Sequence, residues 1–182
     1  MPRSWLLPLA LAAAGLGGAA SLPADKPALD LSGRFLAFEV FAMYDVEENL
    51  KQAGAAGYRV VDLAEARRTG IAVVMEKPAG ESGPYEYYLV ATTEVEAMER
   101  RMKTAAADGF RLLPRSMYTK ALVLEKPPGA ARRYDYQLWL AEAGPDLARR
   151  LAAAAEQGFH MVGLVWFREQ HIVVLERVAS AP

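Results

Sequence analysis

Two histidines and no cysteine make up the metal-friendly inventory of this 182-residue chain. His160 stands just after the Gly158-Phe159 pair and His171 opens the last apolar run, so a hairpin between them would bring the imidazoles together. Two imidazoles hold a metal only with further ligands, and neither a metal nor another cofactor is expected. Phosphate-loop, nucleophile-elbow and His-Glu-x-x-His patterns are missing from the sequence. A charged pair at the end of an apolar run, in contrast, occurs three times: "VVMEKP" from Val73, "LVLEKP" from Leu122 and "VVLERV" from Val173. Adjacent residues of a strand point to opposite faces, so Glu76 and Lys77 cannot pair with each other. The expectation is that each Glu and base mark where a buried strand emerges into solvent, the Glu reaching a neighbouring strand.

The elements that carry these residues recur as well. Three stretches align without gaps: "GRFLAFEVFAMYDVEENLKQAGAAGY" from Gly33, "YEYYLVATTEVEAMERRMKTAAADGF" from Tyr85 and "YDYQLWLAEAGPDLARRLAAAAEQGF" from Tyr134. Within each, apolar residues first alternate and then recur at helical spacing, as in Val46, Leu50, Ala53 and in Met98, Met102, Ala105, which predicts a strand followed by an amphipathic helix. Gly57, Gly109 and Gly158 suit a left-handed helix cap. A second strand follows each Gly ("YRVVDLA", "FRLLPRSM", "FHMVGLVW"), then a hairpin, then the charged motif as a third strand. Its continuous apolar run fits a central strand covered on both faces. The fold class is therefore α+β: three tandem strand-helix-strand-strand units with mostly antiparallel sheets, the helices on one face of each. The units span 34–78, 85–127 and 134–178, after a signal peptide at 1–20 and a linker at 21–33.

A Tyr-x-Tyr strand, a helix closing on Gly-aromatic, a hairpin and an apolar last strand ending in a base resemble the bacterial family known as domain of unknown function 4177. The resemblance covers most of the chain as three divergent copies, and Gly33 and Phe35 of the first copy depart from the paired tyrosines of the others. It implies a fold and brings no catalytic residues. Peptidoglycan-binding sporulation-related repeats are a poorer match, because the strand from Tyr134 to Leu140 has no counterpart in their element order.

The start of the chain, "MPRSWLLPLALAAAGLGGAA", reads as a basic residue, an apolar stretch and small residues before a cleavage site, the form of a secretory signal peptide. It is shorter and more interrupted than a membrane-spanning helix, so no stable membrane insertion is expected after cleavage. Export without cysteine suggests a bacterial envelope protein, periplasmic or secreted. A formal net charge of -1 gives a nucleic-acid role no electrostatic support.

Strand parity selects the candidate binding residues. With Phe35, Tyr87 and Tyr136 placed toward the helices, the opposite face would carry Arg59, Arg111 and His160. In the third unit it would gather Gln137, Trp139, His160 and Trp166 into a groove if Gly163 introduces no bulge. The functional expectation is an exported non-enzymatic binding or scaffolding protein of the cell envelope. Its partner would be a protein or an envelope glycan, and homo-oligomers fit the scheme. The alternatives are a peptidoglycan- or glycan-binding module and an enzyme with a site at a unit junction.

Overall fold

The computed structural model describes residues 28–66, 70–80, 83–92, 94–118, 121–141, 144–167 and 170–179. The expected signal peptide and most of the linker lie outside the described residues. Among the described residues, three α-helices, a short 3-10 helix and three antiparallel three-stranded sheets make a mixed α+β structure. The first segment contains β1 (Phe35–Val40), α1 (Met43–Ala55), β2 (Arg59–Glu65) and β3 (Ile71–Glu76). The second contains β4 (Glu86–Val90), α2 (Val95–Ala107), β5 (Arg111–Leu112), a 3-10 helix (Pro114–Tyr118) and β6 (Leu122–Lys126). The third contains β7 (Tyr134–Ala141), α3 (Pro145–Glu156), β8 (His160–Phe167) and β9 (Gln170–Val178).

The sheet orders are β1-β3-β2, β4-β6-β5 and β7-β9-β8, so the strand bearing the charged motif is central each time. Val73, Val123 and Val173 are accordingly buried. Each helix ends in a Schellman cap, with Gly57, Gly109 and Gly158 at φ of 84°, 95° and 82°. The aromatic amide after each glycine bonds back into the last turn, as Tyr58 N–H does to Ala53 O at 3.0 Å. A left-handed residue there is accommodated by Gly without steric cost.

The middle segment departs from the expected pattern. The strand read at "FRLLPRSM" stops at Leu112, because Pro114 has no N–H for a ladder and opens the 3-10 helix instead. Ser116 secures that turn: its hydroxyl donates to Leu113 O at 2.7 Å and accepts from Val123 N–H at 2.9 Å. The 3-10 helix packs against both β2 and β8, bringing the second strands of the outer segments to one place.

The helices do not serve only their own sheets. α1 packs on β1 and on β4, and α2 on β4 and on β7. Tyr87 and Leu89 belong to the core of the first segment, whereas Val90, their neighbour, packs with Met98 and Met102 of α2. Tyr136 and Leu138 likewise join the α2 core, and Trp139 turns toward Leu147 and Leu151 of α3. The tyrosines thus face the helix of the preceding segment, opposite to the expected placement. The parity was right in period and inverted in sign, because an inner helix has two sheets to cover.

Candidate functional site

The charged motif divides its two residues between two kinds of contact. The base stays within its own segment and lies over the aromatic that follows the helix cap: Lys77 over Tyr58 at 4.6 Å, Lys126 over Phe110 at 5.5 Å and Arg177 over Phe159 at 4.4 Å. Such cation-π contacts contribute about 0.5–1 kcal/mol each near the surface. The neighbouring Glu points to the opposite face, where Glu125 and Glu176 are buried among groups from two segments. They do not emerge into solvent, which corrects the expectation for those two positions. Glu76 is only half-buried.

Around Glu125, Arg59 Nε donates to Oε1 at 3.3 Å, and the Tyr87 hydroxyl lies 3.0 Å from Oε2. That hydroxyl also accepts from Val60 N–H at 2.9 Å and faces Tyr58 O at 3.2 Å. Tyr87 therefore caps the outer edge of β2, where the backbone would otherwise present an open template. The second joint repeats this plan. Tyr136 donates to Glu176 Oε2 at 2.7 Å and accepts from Leu112 N–H of β5 at 2.8 Å. Arg111 grips the carboxylate through Nε and Nη2, each 3.0 Å from Oε1. His160 Nε2 stands 3.6 Å from the same oxygen. In both cases the base comes from the second strand of one segment, and the Tyr and Glu come from the next.

Burial, then the adjacent carboxylate, pushes the Tyr87 hydroxyl far above the usual phenol range; Tyr136 is driven the same way by burial and by its hydrogen bond to Glu176. Both stay protonated at neutral pH and act as hydrogen-bonding groups. Burial also raises Glu125, against the opposing pull of Tyr87 and Arg59. The hydrogen bonds that Arg111 donates to Glu176 raise its pKa and keep it charged. A buried acid held this way is costly to break, since loss of one partner leaves the other charge desolvated.

A cleft of about 600 Å³ opens between the two joints. Arg59, Arg111 and Arg132 line it together with Glu125, while Pro128 and Tyr134 supply apolar wall. Arg111 lies 5.3 Å over the Tyr134 ring. Arg59 is paired with Glu125 and Arg111 with Glu176, so Arg132 leaves one positive charge in excess among these groups. That favours an anionic guest, and the planar fork of Arg suits carboxylate or phosphate.

Of the residues singled out from the sequence, Arg59 and Arg111 are brought to this cleft, and His160 sits at the second joint. Gln137, Trp139 and Trp166 are elsewhere. The β8 register shifts between Met161 and Gly163. This bulge and the reversed parity place Gln137, Trp139 and Trp166 on the α3 side, while His160 shares its row with Tyr136 and Glu176. The four do not form one groove. Trp139 lies beneath Arg150 at 4.6 Å, and Trp166 meets His171 edge-on at 4.6 Å. Tyr87, Tyr136, Glu125 and Arg132 were missed as site residues, although the thrice-spaced Glu and the paired tyrosines carried the signal.

Among the described residues no group of three or more His, Asp or Glu is placed to hold a metal ion, and no helix is long and apolar enough to cross a membrane. No family model matches the chain, and neither a curated protein nor a solved structure matches it significantly.

Proposed function

We propose that this chain is a non-enzymatic binding or scaffolding protein of the bacterial cell envelope, periplasmic or secreted, that holds an anionic ligand in the cleft between its joints. Its architecture in this reading is three tandem strand-helix-strand-strand units, the resemblance to domain of unknown function 4177 extending over all three. Three recurrences support the units: the Schellman cap, the stacking of base on aromatic, and the central place of the third strand.

The observation that carries the binding reading is the set of three arginines lining one cleft. Arg59 and Arg111 are oriented there by buried carboxylates, and Arg132 adds charge without belonging to either joint. Orientation by fixed partners lowers the entropy that a flexible Arg would lose on binding. Among envelope molecules, peptidoglycan stem peptides supply carboxylates of this kind, which keeps the glycan alternative within the same site.

The test is calorimetric titration of the chain from Ser21 onward with soluble muramyl peptides and with neutral chitin oligosaccharides. Saturable heat with the acidic fragments, weakened about tenfold by Arg132→Ala with unchanged thermal stability, is the expected result. No heat from acidic fragments would overturn the reading. Trp166, which is 61 % exposed, favours a second reading as a sugar platform. Fluorescence quenching by the neutral oligosaccharides, abolished in Trp166→Ala, would select it.

A further inference from the structure

Each joint has two halves, and the fold leaves one of each kind uncovered. The first segment offers the acceptor half, the sheet face that elsewhere supplies Tyr and Glu, and the third offers the donor half, the helix face and second-strand edge that elsewhere supply the base. Among the described residues no further segment covers either. Corresponding positions show what covering means. Val123 and Val174 are fully buried at the joints, while Val74 in the same place is 40 % exposed. Tyr87 and Tyr136 are buried, and Phe35 is 60 % exposed with Arg34 lying 5.1 Å over its ring. On the donor side, Gly54 and Ala106 are buried by the following sheet, whereas Ala155 is exposed.

The distribution of apolar surface agrees with this. Among the described residues, the large exposed hydrophobic side chains on these faces include Phe35 and Val74 in the first segment and Met161, Leu164 and Trp166 in the third, while the second segment has none. Stacked-unit proteins that remain monomeric carry polar outer faces on their terminal units. Here the end faces are apolar, and they are the two halves of a contact that the chain already makes twice.

We propose that the occupant of each end face is a second copy of this chain, added head to tail through a third, intermolecular joint. In it the α3 face around Ala155 and the β8 edge of one copy meet the sheet face of Phe35, Val74 and Glu76 of the next. His160 takes the place held internally by Arg59 and Arg111, and Glu76 that of Glu125 and Glu176. Phe35 has no hydroxyl to cap the β8 edge, so this joint is weaker than the internal ones and reversible. A contact between unlike faces does not close on itself in a pair, so assembly proceeds to rings or filaments. The inference rests on the three-unit reading and does not depend on the ligand proposed for the cleft.

Sedimentation velocity of the chain from Ser21 onward, which retains every described element, tests it from micromolar to submillimolar concentration. The wild-type chain should form a concentration-dependent series. Val74→Lys and Ala155→Glu, both at exposed positions, should each remain monomeric. Mixed together they should give dimers and nothing larger, because each keeps one competent end. Phe35→Tyr combined with His160→Arg should complete the joint and tighten association about tenfold. A monomeric wild type and a monomeric Phe35→Tyr, His160→Arg variant would overturn the proposal, as would an associating wild type whose two blocked variants fail to dimerise. The blocked variants should still bind the acidic fragments, so loss of assembly and loss of ligand binding are read separately.

Discussion

Replacing Tyr87 by Phe removes one oxygen atom and tests the joint directly. The hydroxyl accepts from Val60 N–H at 2.9 Å and sits 3.0 Å from Glu125 Oε2, both in a buried setting. Its loss strands the amide at about 1–3 kcal/mol and takes a charge-assisted bond, worth about 1.5–3 kcal/mol, from the acid. Retained ring packing and some relaxation offset part of the sum, leaving an expected loss of about 3 kcal/mol. For a domain of this size that corresponds to a fall in melting temperature of about 6–12 °C. Urea unfolding at neutral pH measures it, with Tyr88→Phe as control, since Tyr88 belongs to the opposite face and packs at 6.1 Å against Phe110. The control should change stability by less than about 0.5 kcal/mol. A double-mutant cycle with Glu125→Gln should show a coupling of at least about 1 kcal/mol. If Tyr87→Phe behaves like the control, or the cycle shows no coupling, the joint is a contact without energetic weight and the reasoning fails.

Other changes test separate parts of the same structure. Gly54→Ala would gain helix propensity at an ordinary site, but its Cβ would stand 2.3 Å from Tyr85 O and 2.8 Å from the Tyr87 ring. Urea unfolding should show a loss of about 2 kcal/mol, and a more stable variant would disprove the tight approach of α1 to the second segment. Glu125 titrates above its ordinary value in the fold because burial opposes its charge. Its stability contribution is therefore greatest below the ordinary glutamate range and declines as pH rises through the raised value. Relative to Glu125→Gln, the wild type should lose stability over that rise, and a difference of the opposite sign would refute the assignment. Ser116→Ala should strand Val123 N–H, cost about 1–3 kcal/mol and speed hydrogen exchange at that amide. Unchanged exchange would mean that the 3-10 helix does not depend on the hydroxyl.

Local signals were legible in the sequence and non-local ones were not. The helix caps followed from Gly57, Gly109 and Gly158, and the central strands from their unbroken apolar runs. Both depend on residues close in sequence. The placement of Glu125 depended on Arg59 and Tyr87, 66 and 38 residues away. A strand-end Glu beside Lys resembles a solvated charge in any local window, and only the arrival of another segment makes it a buried one. The face inversion has a similar origin: period fixes which residues share a side, and the position of α1 between two sheets decides which side is which. Pro114 was in plain view, and its lack of a donor should have ended the second strand of the middle segment at Leu112.

The lengths of chain between joint partners have a consequence for synthesis. Arg59 and Glu125 are separated by 66 residues, and Arg111 and Glu176 by 65. The first sheet can form as soon as residue 76 is made, yet the edge of β2 remains open until Tyr87 and then Glu125 follow it. An open edge is a template for pairing with another chain, and closing a loop of this length has an entropic cost that local strands do not bear. Growing from the amino terminus, the protein therefore passes through two windows in which a nearly finished sheet is exposed to its neighbours. Each window ends when a tyrosine hydroxyl reaches the waiting amide.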